Sequence, residues 1–253
     1  MAHISATIFP ESLLFRTRLE VIIPQGPKLE EPADKVLYLF HGLSDDCSAW
    51  CRNTLIEPLA RERGYIVIMP EVQRSFYSDM KYGSQYFTYV SEELPRICEQ
   101  LFNIKHKRES TFVAGLSMGG YGAIKCGLSR PDFYSACAGF SGALDPEMRI
   151  KISNEEDPDR YREVYAIMDK GEPWPESADL FKLADKMAKL PQKTRVLVTC
   201  GDEDFLIEEN RKFNEHMLLL PQIEYKYKEW PGVHDWKFWQ ECLPLAFDFF
   251  EKV

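Results

Sequence analysis

Short apolar runs alternate along the chain with longer segments whose apolar residues recur at helical spacing. The runs predict strands at 19–23, 36–40, 65–69, 111–114, 135–140, 195–200 and 224–229. The longer segments predict helices at 48–63, 85–103, 119–128, 208–219 and 236–252. Several runs are almost wholly apolar, as in strands that are buried on both faces of a sheet. The pattern therefore predicts an α/β fold, with a mostly parallel central sheet and helices on both faces.

The segment 144–190 departs from this alternation. Charged residues and the turn Pro173-Trp174-Pro175 replace the strand pattern there. We expect one α/β domain over 1–253 with a small helical insertion in this segment. The insertion is either a solvated surface excursion or a cap that shapes the entrance to a pocket.

Charge and cysteine content narrow the possible partners. With 31 basic and 40 acidic residues, the net charge is −9, which disfavours binding to nucleic acid or to anionic lipid. No stretch approaches the roughly 20 apolar residues of a membrane span. Seven cysteines without a repeating spacing predict no disulfide framework and no metal site, so Cys47 and Cys51 are expected to be ordinary thiols. The N-terminus does not resemble a secretory signal, and a cytoplasmic location is expected.

The residues Gly-Leu-Ser-Met-Gly-Gly at 115–120 stand between a predicted strand and a predicted helix. A tight turn at this place holds its central serine above the sheet in a strained backbone conformation. Ser117 is therefore a candidate nucleophile, although the same residues also suit a plain glycine-rich turn.

A serine nucleophile requires a base, and the chain has five histidines. His3 is expected in a frayed N-terminus, His106 in a basic loop and His216 within a charged helix. His41 follows a strand and precedes Gly42, in a loop to which we assign another role. His234 lies between the last strand and the last helix, at the sheet edge where α/β proteins place their sites. His234 is therefore the candidate base, and Asp235 is expected to cap the final helix.

Three carboxylates follow the strand at 195–200, and one of them is expected to orient the histidine. Asp204 is preferred, because a Gly-x-x-Asp turn lets its carboxylate return over the sheet edge. Asp202 and Glu203 remain alternatives, and all three residues also suit the acidic start of a helix.

Acyl transfer also needs backbone amides that accept the developing oxyanion charge. The amides of Leu43, after the strand at 36–40, and of Met118, at the start of a helix, are the candidate pair. Gly42 permits close approach of the substrate, and His41 is expected to brace this loop by hydrogen bonding.

The assembled motifs resemble the esterase D family of α/β-hydrolases, and within it the bacterial tributyrin esterase group, which is similar to S-formylglutathione hydrolases. The resemblance rests on HGLS at 41–44, MPEVQRSFYSD at 69–79, GLSMGGYGA at 115–123, GDEDFL at 201–206 and GVHDW at 232–236. It implies Ser117 as nucleophile, Asp204 as acid, His234 as base, and the Leu43 and Met118 amides as oxyanion donors. The residues at 71 and 73 depart from those usual in relatives, so the resemblance does not extend to substrate preference.

The sequence therefore predicts a serine carboxylesterase without a cofactor, acting on small-molecule esters with acetyl to butyryl groups. A thioesterase of the S-formylglutathione hydrolase type, an acyltransferase and a non-catalytic binding protein of the same fold are the alternatives. Tyr77, Phe87, Trp236 and Trp239 either line the substrate pocket or pack in the core. Exposed aromatic residues also leave a homo-oligomer open.

Overall fold

The computed structural model of the chain describes residues 1–25, 33–146, 166–168 and 172–252. The strands in these residues form one eight-stranded sheet. They are β1 (Ala2–Ile8), β2 (Thr17–Ile23), β3 (Lys35–Phe40), β4 (Tyr65–Pro70), β5 (Thr111–Leu116), β6 (Ala136–Phe140), β7 (Arg195–Gly201) and β8 (Tyr225–Trp230).

The order of the strands across the sheet is β1-β2-β4-β3-β5-β6-β7-β8. The strand β2 pairs antiparallel with both β1 and β4, and all the remaining pairs are parallel. The predicted α/β fold with a mostly parallel sheet is confirmed. The strands β2 to β8 lie within two residues of the seven predicted strands.

Helices cover both faces of the sheet. They are α1 (Ala49–Asn53), α2 (Ile56–Arg63), α3 (Tyr86–Thr88), α4 (Leu94–Phe102), α5 (Met118–Ser129), α6 (Leu180–Ala188), α7 (Ile207–Leu218) and α8 (Trp236–Phe250). Successive side chains of a strand point to opposite faces. Accordingly, Val36 and Tyr38 of β3 join the core beneath α4 to α7, whereas Leu37 and Leu39 join the core beneath α1, α2 and α8.

The expectation of a frayed N-terminus is wrong, because residues 2–8 form β1. This strand pairs along its whole length with β2, from Ala2 opposite Ile23 to Ile8 opposite Thr17. Its side chains alternate between exposed and partly buried positions, as expected of an edge strand. Such an alternation gives no continuous apolar run, which is why the apolar pattern did not indicate it.

The single helix predicted over 48–63 is divided into α1 and α2. Thr54 is extended at the junction, and its hydroxyl donates to the carbonyl of Trp50 at 2.5 Å. The amide of Leu55 donates to the side chain of Gln240 at 2.7 Å. These bonds replace helical ones, so the first helix ends and a second begins. The helix predicted over 85–103 also contains a π turn, at Tyr89–Glu93, between α3 and α4.

The predicted insertion falls largely outside the described residues, at 147–165 and 169–171. Its described end is anchored to the sheet domain. The indole of Trp174 donates to the carbonyl of Ala178 at 2.9 Å, and that carbonyl also accepts from the hydroxyl of Tyr121 on α5. The helix α6, which follows, packs against α5 and α7. Whether the segment forms a cap stays a prediction.

Among the helices in the described parts of the chain, none has the length and apolar character needed to span a bilayer.

Candidate active site

Four loops bring the candidate site together. They follow β3, β5, β7 and β8, which run parallel in the sheet. The carboxyl ends of parallel strands meet at one edge, which is where open α/β sheets bind their ligands. The sequence-predicted Leu43, Ser117, Asp204 and His234 lie in these four loops.

Ser117 occupies a strained turn between β5 and α5. Its φ of 54° and ψ of −119° are unusual for a residue with a side chain. Its amide donates to the carbonyl of Phe140 at 2.9 Å, which helps to hold the turn. A Cβ atom on Gly119 would lie 2.4 Å from the carbonyl oxygen of Phe40, so only glycine lets α5 cross the sheet this closely. The serine side chain remains partly exposed.

The three side chains predicted to act together lie in hydrogen-bond contact. The Nε2 atom of His234 is 3.0 Å from the Oγ atom of Ser117. On the other side of the ring, Nδ1 lies 2.8 Å from Oδ2 and 3.1 Å from Oδ1 of Asp204. The carboxyl group of Asp204 is buried, and the histidine side chain is 17% exposed. The ring is therefore held on one side by a carboxylate and faces the serine hydroxyl with the other.

The structure separates the three carboxylates that the sequence left open. Asp204 contacts His234 and also accepts a hydrogen bond from the amide of Leu206 at 2.8 Å. Asp202 and Glu203 are exposed. The carboxylate of Asp202 accepts from the amide of Gly232 at 3.3 Å. Asp202 therefore joins the loop after β7 to the loop that carries His234. It does not take the place of Asp204 beside the imidazole ring.

Two aromatic rings and a helix cap fix the histidine loop. Asp235 caps α8 by accepting from the amide of Phe238 at 2.9 Å, which confirms the predicted cap. The ring of His234 packs edge-on against Trp239 with centroids 4.9 Å apart. Phe205, on the loop after β7, has its ring centroid 4.4 Å from that of His234 and is 63% exposed. Phe205 is a neighbour of His234 that the sequence did not single out, although it lies within the GDEDFL motif.

The candidate oxyanion amides lie on the loop after β3 and at the start of α5. His41 is buried, and its Nδ1 atom lies 2.8 Å from the carbonyl oxygen of Gly42. The amide of Val72 donates to Nε2 of the same ring at 3.2 Å, so Nδ1 carries the hydrogen. In a trans peptide the C=O and N–H groups point in opposite directions. By holding the Gly42 carbonyl, His41 thus directs the amide of Leu43 away from itself.

The amide of Met118 is the first of α5, where backbone N–H groups have no partner within the helix. Within the described parts of the chain, neither this amide nor that of Leu43 donates a hydrogen bond. Both donors are available for an anionic oxygen beside Ser117. The positive end of the helix dipole adds to this preference for negative charge.

Glu71 supports the same loop from behind. Its carboxylate accepts from the amides of Cys47 at 3.0 Å and Gln73 at 2.7 Å, and it lies 3.5 Å from Nε2 of His41. Two backbone amides donate to this carboxylate, and hydrogen bonds of this kind favour the ionised form. The carboxylate therefore stays ionised and keeps the loop anchored.

The four aromatic residues predicted to line a pocket have different surroundings. Tyr77 is entirely buried, stacks on Phe40 at 4.5 Å and donates to the carbonyl of His41 at 3.0 Å, so it supports the loop after β3 and faces no open pocket. Trp239 is 5% exposed and packs on His234. Trp236 packs on Trp239, with ring centroids 5.1 Å apart. Phe87 is partly exposed and lies over the ammonium group of a lysine.

That lysine, Lys125, is a buried group that the sequence did not single out. It is 2% exposed, and its Nζ atom donates to the carbonyl of Tyr77 and the hydroxyl of Ser78, both at 3.1 Å. Burial lowers its pKa to about 8. The signal in the sequence was a charged residue amid the small and apolar residues of the predicted helix. Lys125 fixes the segment whose tyrosine supports His41.

Two of the other histidines, His106 and His216, lie outside the candidate site. Nε2 of His106 lies 2.7 Å from the hydroxyl oxygen of Tyr38, and Nδ1 of His106 lies 2.9 Å from Glu99. His216 pairs with Asp185 at 3.0 Å. Both have structural partners, as the sequence indicated.

The sheet, with a serine on a strained turn and a histidine and an aspartate on the neighbouring loops, defines an α/β serine hydrolase. A family model described as "Putative esterase" matches residues 13–250. The chain belongs to this esterase family, and it is a carboxylic ester hydrolase.

Similar proteins carry related names. An acetyl esterase of Caldicellulosiruptor saccharolyticus is 30% identical over 269 residues, spanning 100% of this chain and 99% of the relative. Among solved structures, the fluorophosphonate-binding serine hydrolase FphF of Staphylococcus aureus has a TM-score of 0.89 at 30% identity, with 100% and 99% of the two chains covered. The S-formylglutathione hydrolase FrmB of Staphylococcus aureus has a TM-score of 0.83 at 30% identity, with 98% of each chain covered.

Proposed function

We propose that this protein is a serine carboxylesterase that hydrolyses short-chain acyl esters, from acetyl to butyryl, through a covalent acyl-enzyme. The observation that carries the proposal is the continuous set of hydrogen bonds from Ser117 through His234 to Asp204. A serine hydroxyl is a weak nucleophile until an adjacent base accepts its proton. The contact of 3.0 Å between Ser117 Oγ and His234 Nε2 is within the reach that such a transfer requires.

In the proposed reaction, Ser117 Oγ attacks the ester carbonyl while His234 Nε2 takes the hydroxyl proton. The carbonyl oxygen becomes an oxyanion and accepts hydrogen bonds from the amides of Leu43 and Met118. When the tetrahedral intermediate collapses, His234 returns the proton to the departing alcohol, and the acyl group remains on Ser117. Water, deprotonated by His234, then releases the carboxylic acid. Asp204 stabilises the imidazolium in both steps, and no cofactor is needed.

The likeness to an acetyl esterase over the whole chain supports a small acyl group. A second candidate is a thioesterase that acts on S-formylglutathione, which the likeness to FrmB favours. Both reactions use the same nucleophile and the same oxyanion donors, so they differ in the acyl group and in the leaving group.

Steady-state kinetics distinguish the two candidates. We expect p-nitrophenyl acetate and butyrate to be hydrolysed with a higher kcat/KM than S-formylglutathione. Replacement of Ser117 by Ala should lower kcat on both classes by about 10⁶-fold. The matched control is Ser129→Ala, at the other end of α5, which should leave kcat unchanged. A preference for the thioester would favour the second candidate, and full activity of Ser117→Ala would refute both.

A further inference from the structure

The strand β1 brings a second set of reactive side chains together at the edge of the sheet. His3 lies on β1, Cys51 on α1 and Glu57 on α2. One nitrogen, sulfur or oxygen atom from each lies within 4.8 Å of the other two. We propose that these three side chains bind one zinc ion, with water as the fourth ligand. The sequence predicted no metal site, because it did not indicate the strand that carries His3.

The imidazole of His3 is already oriented as a zinc ligand would be. Its Nε2 atom lies 2.9 Å from Oε2 of Glu20, and its Nδ1 atom lies 3.2 Å from Oε1 of Glu57. Histidines that bind a metal through one nitrogen usually donate the other N–H to a carboxylate. Glu20 fits that supporting role, since its side chain is 3% exposed and is also held by Ser5 and Arg18.

The distances suit tetrahedral coordination after small side-chain rotations. Zinc bonds of about 2.0–2.3 Å to nitrogen, oxygen and sulfur place neighbouring ligand atoms roughly 3.2–3.7 Å apart. The pair His3 Nδ1 and Glu57 Oε1 already has such a separation. The sulfur of Cys51 lies within 4.8 Å of a ring nitrogen of His3 and of a carboxylate oxygen of Glu57, so a rotation of its side chain brings it to a zinc ion bound at Nδ1. The side chain of His3 is 34% exposed, so a metal ion has a path from solvent.

The charge around the cluster favours a cation. The carboxylates of Glu20 and Glu57 contact the two nitrogens of the His3 imidazole. Two carboxylates and a thiol therefore surround a single imidazole. A divalent ion that binds here displaces the thiol proton, which passes to the buffer, and bonds to the lone pair of Nδ1 while Nε2 keeps its hydrogen. Mixed nitrogen, sulfur and oxygen donors favour zinc over magnesium or calcium, which prefer oxygen ligands.

Cobalt is the spectroscopic probe for this site, because a thiolate ligand gives Co²⁺ a near-ultraviolet charge-transfer band. Protein treated with a chelator should bind one Co²⁺ per chain with this band, and Zn²⁺ should abolish the band by displacement. The variant Cys51→Ser should lose it. The variant Glu57→Gln should bind Zn²⁺ at least about tenfold more weakly, while Glu62→Gln on the same helix should bind it normally.

A thermal measurement gives an independent readout. The three ligands come from three elements, so zinc should stabilise the folded state and raise its Tm by a few degrees in wild type. Magnesium should have no effect, and zinc should have none on Cys51→Ser. Hydrolysis of p-nitrophenyl acetate by each variant shows that it is folded. Cobalt binding without the thiolate band, or equal zinc affinity in wild type, Cys51→Ser and Glu57→Gln, would overturn the proposal.

Discussion

At the scale of single residues, the proposed chemistry depends on which nitrogen of His234 carries the hydrogen. The carboxylate of Asp204 can only accept, so its contact of 2.8 Å places the hydrogen on Nδ1. That leaves Nε2 as the acceptor for the hydroxyl of Ser117. Asp202, only two residues away, contacts a backbone amide and has no such influence on the ring.

A comparison of the variants Asp204→Asn and Asp202→Asn therefore distinguishes the roles of the two carboxylates. An amide at position 204 can donate to Nδ1, which stabilises the wrong tautomer and removes the charge opposite the imidazolium. We expect Asp204→Asn to lower kcat by about 10³–10⁴-fold. Asp202→Asn should have a far smaller effect. Initial rates on p-nitrophenyl acetate measure both, and a larger loss in Asp202→Asn would contradict this assignment of the acid.

At the scale of elements, the site depends on how closely the loops after β7 and β8 approach each other. The amide of Glu203 donates to the carbonyl of Gly232 at 3.0 Å, and the amide of Asp202 donates to the carbonyl of Trp230 at 3.1 Å. A Cβ atom on Gly201 would lie 2.2 Å from the Gly232 carbonyl oxygen. This contact sets the distance between the loop after β7, which carries Asp204, and the loop after β8, which carries His234.

Gly201→Ala should therefore push the histidine loop away and reduce both stability and activity. We expect a loss of about 1–3 kcal/mol in the free energy of unfolding, together with a lower kcat. The control is Gly64→Ala, which meets no atom within 4 Å but has a φ of 75°. It should cost about 1 kcal/mol in a left-handed conformation and leave kcat unchanged. Urea unfolding and initial rates test both, and a normal kcat in Gly201→Ala would contradict the argument.

At the scale of the whole molecule, Lys125 links the free energy of unfolding to pH. Burial lowers its pKa from the ordinary 10.5 to about 8. Between these two values the unfolded chain binds the proton and the folded chain does not. The free energy of unfolding due to Lys125 therefore rises with pH across this range, and below it the cost of burying the charge is fully present.

Lys125→Met removes this dependence. As the pH rises from about 7 to about 11, the free energy of unfolding of wild type should increase by about 3 kcal/mol relative to that of the variant. Urea denaturation of both proteins across this range measures the difference, and subtraction cancels the titration of other groups. A difference that is independent of pH would mean that Lys125 has an ordinary pKa in the folded state.

Much of the fold is predictable from the sequence because a strand buried on both faces must be apolar along its length. The strands β3 to β7 follow that rule, and their βα order fixes a mostly parallel sheet. The loops that hold Ser117 and His234 are recognisable because each lies between a strand and a helix with characteristic residues. These signals are local, so one sequence is enough to find them.

Other features depend on contacts between distant parts of the chain. The Gly-x-x-Asp turn favours Asp204, but it leaves Asp202 and Glu203 open, and only the folding of this loop back to His234 separates the three carboxylates. Tyr77 lies in a recognisable motif, but its burial under the loop after β3 depends on Phe40 and Lys125. The strand β1 is half-exposed, so its pairing with β2 decides its structure more than its own composition.

The central claim is that Ser117 is the nucleophile, and its covalent labelling tests this most directly. The protein is incubated with a fluorophosphonate, digested and analysed by mass spectrometry to locate the adduct. We predict one adduct per chain, on the peptide that contains Ser117, with loss of esterase activity in proportion to labelling and no adduct on Ser117→Ala. An adduct on another residue that accounts for the lost activity, or full activity of wild type with Ser117 labelled, would contradict the account.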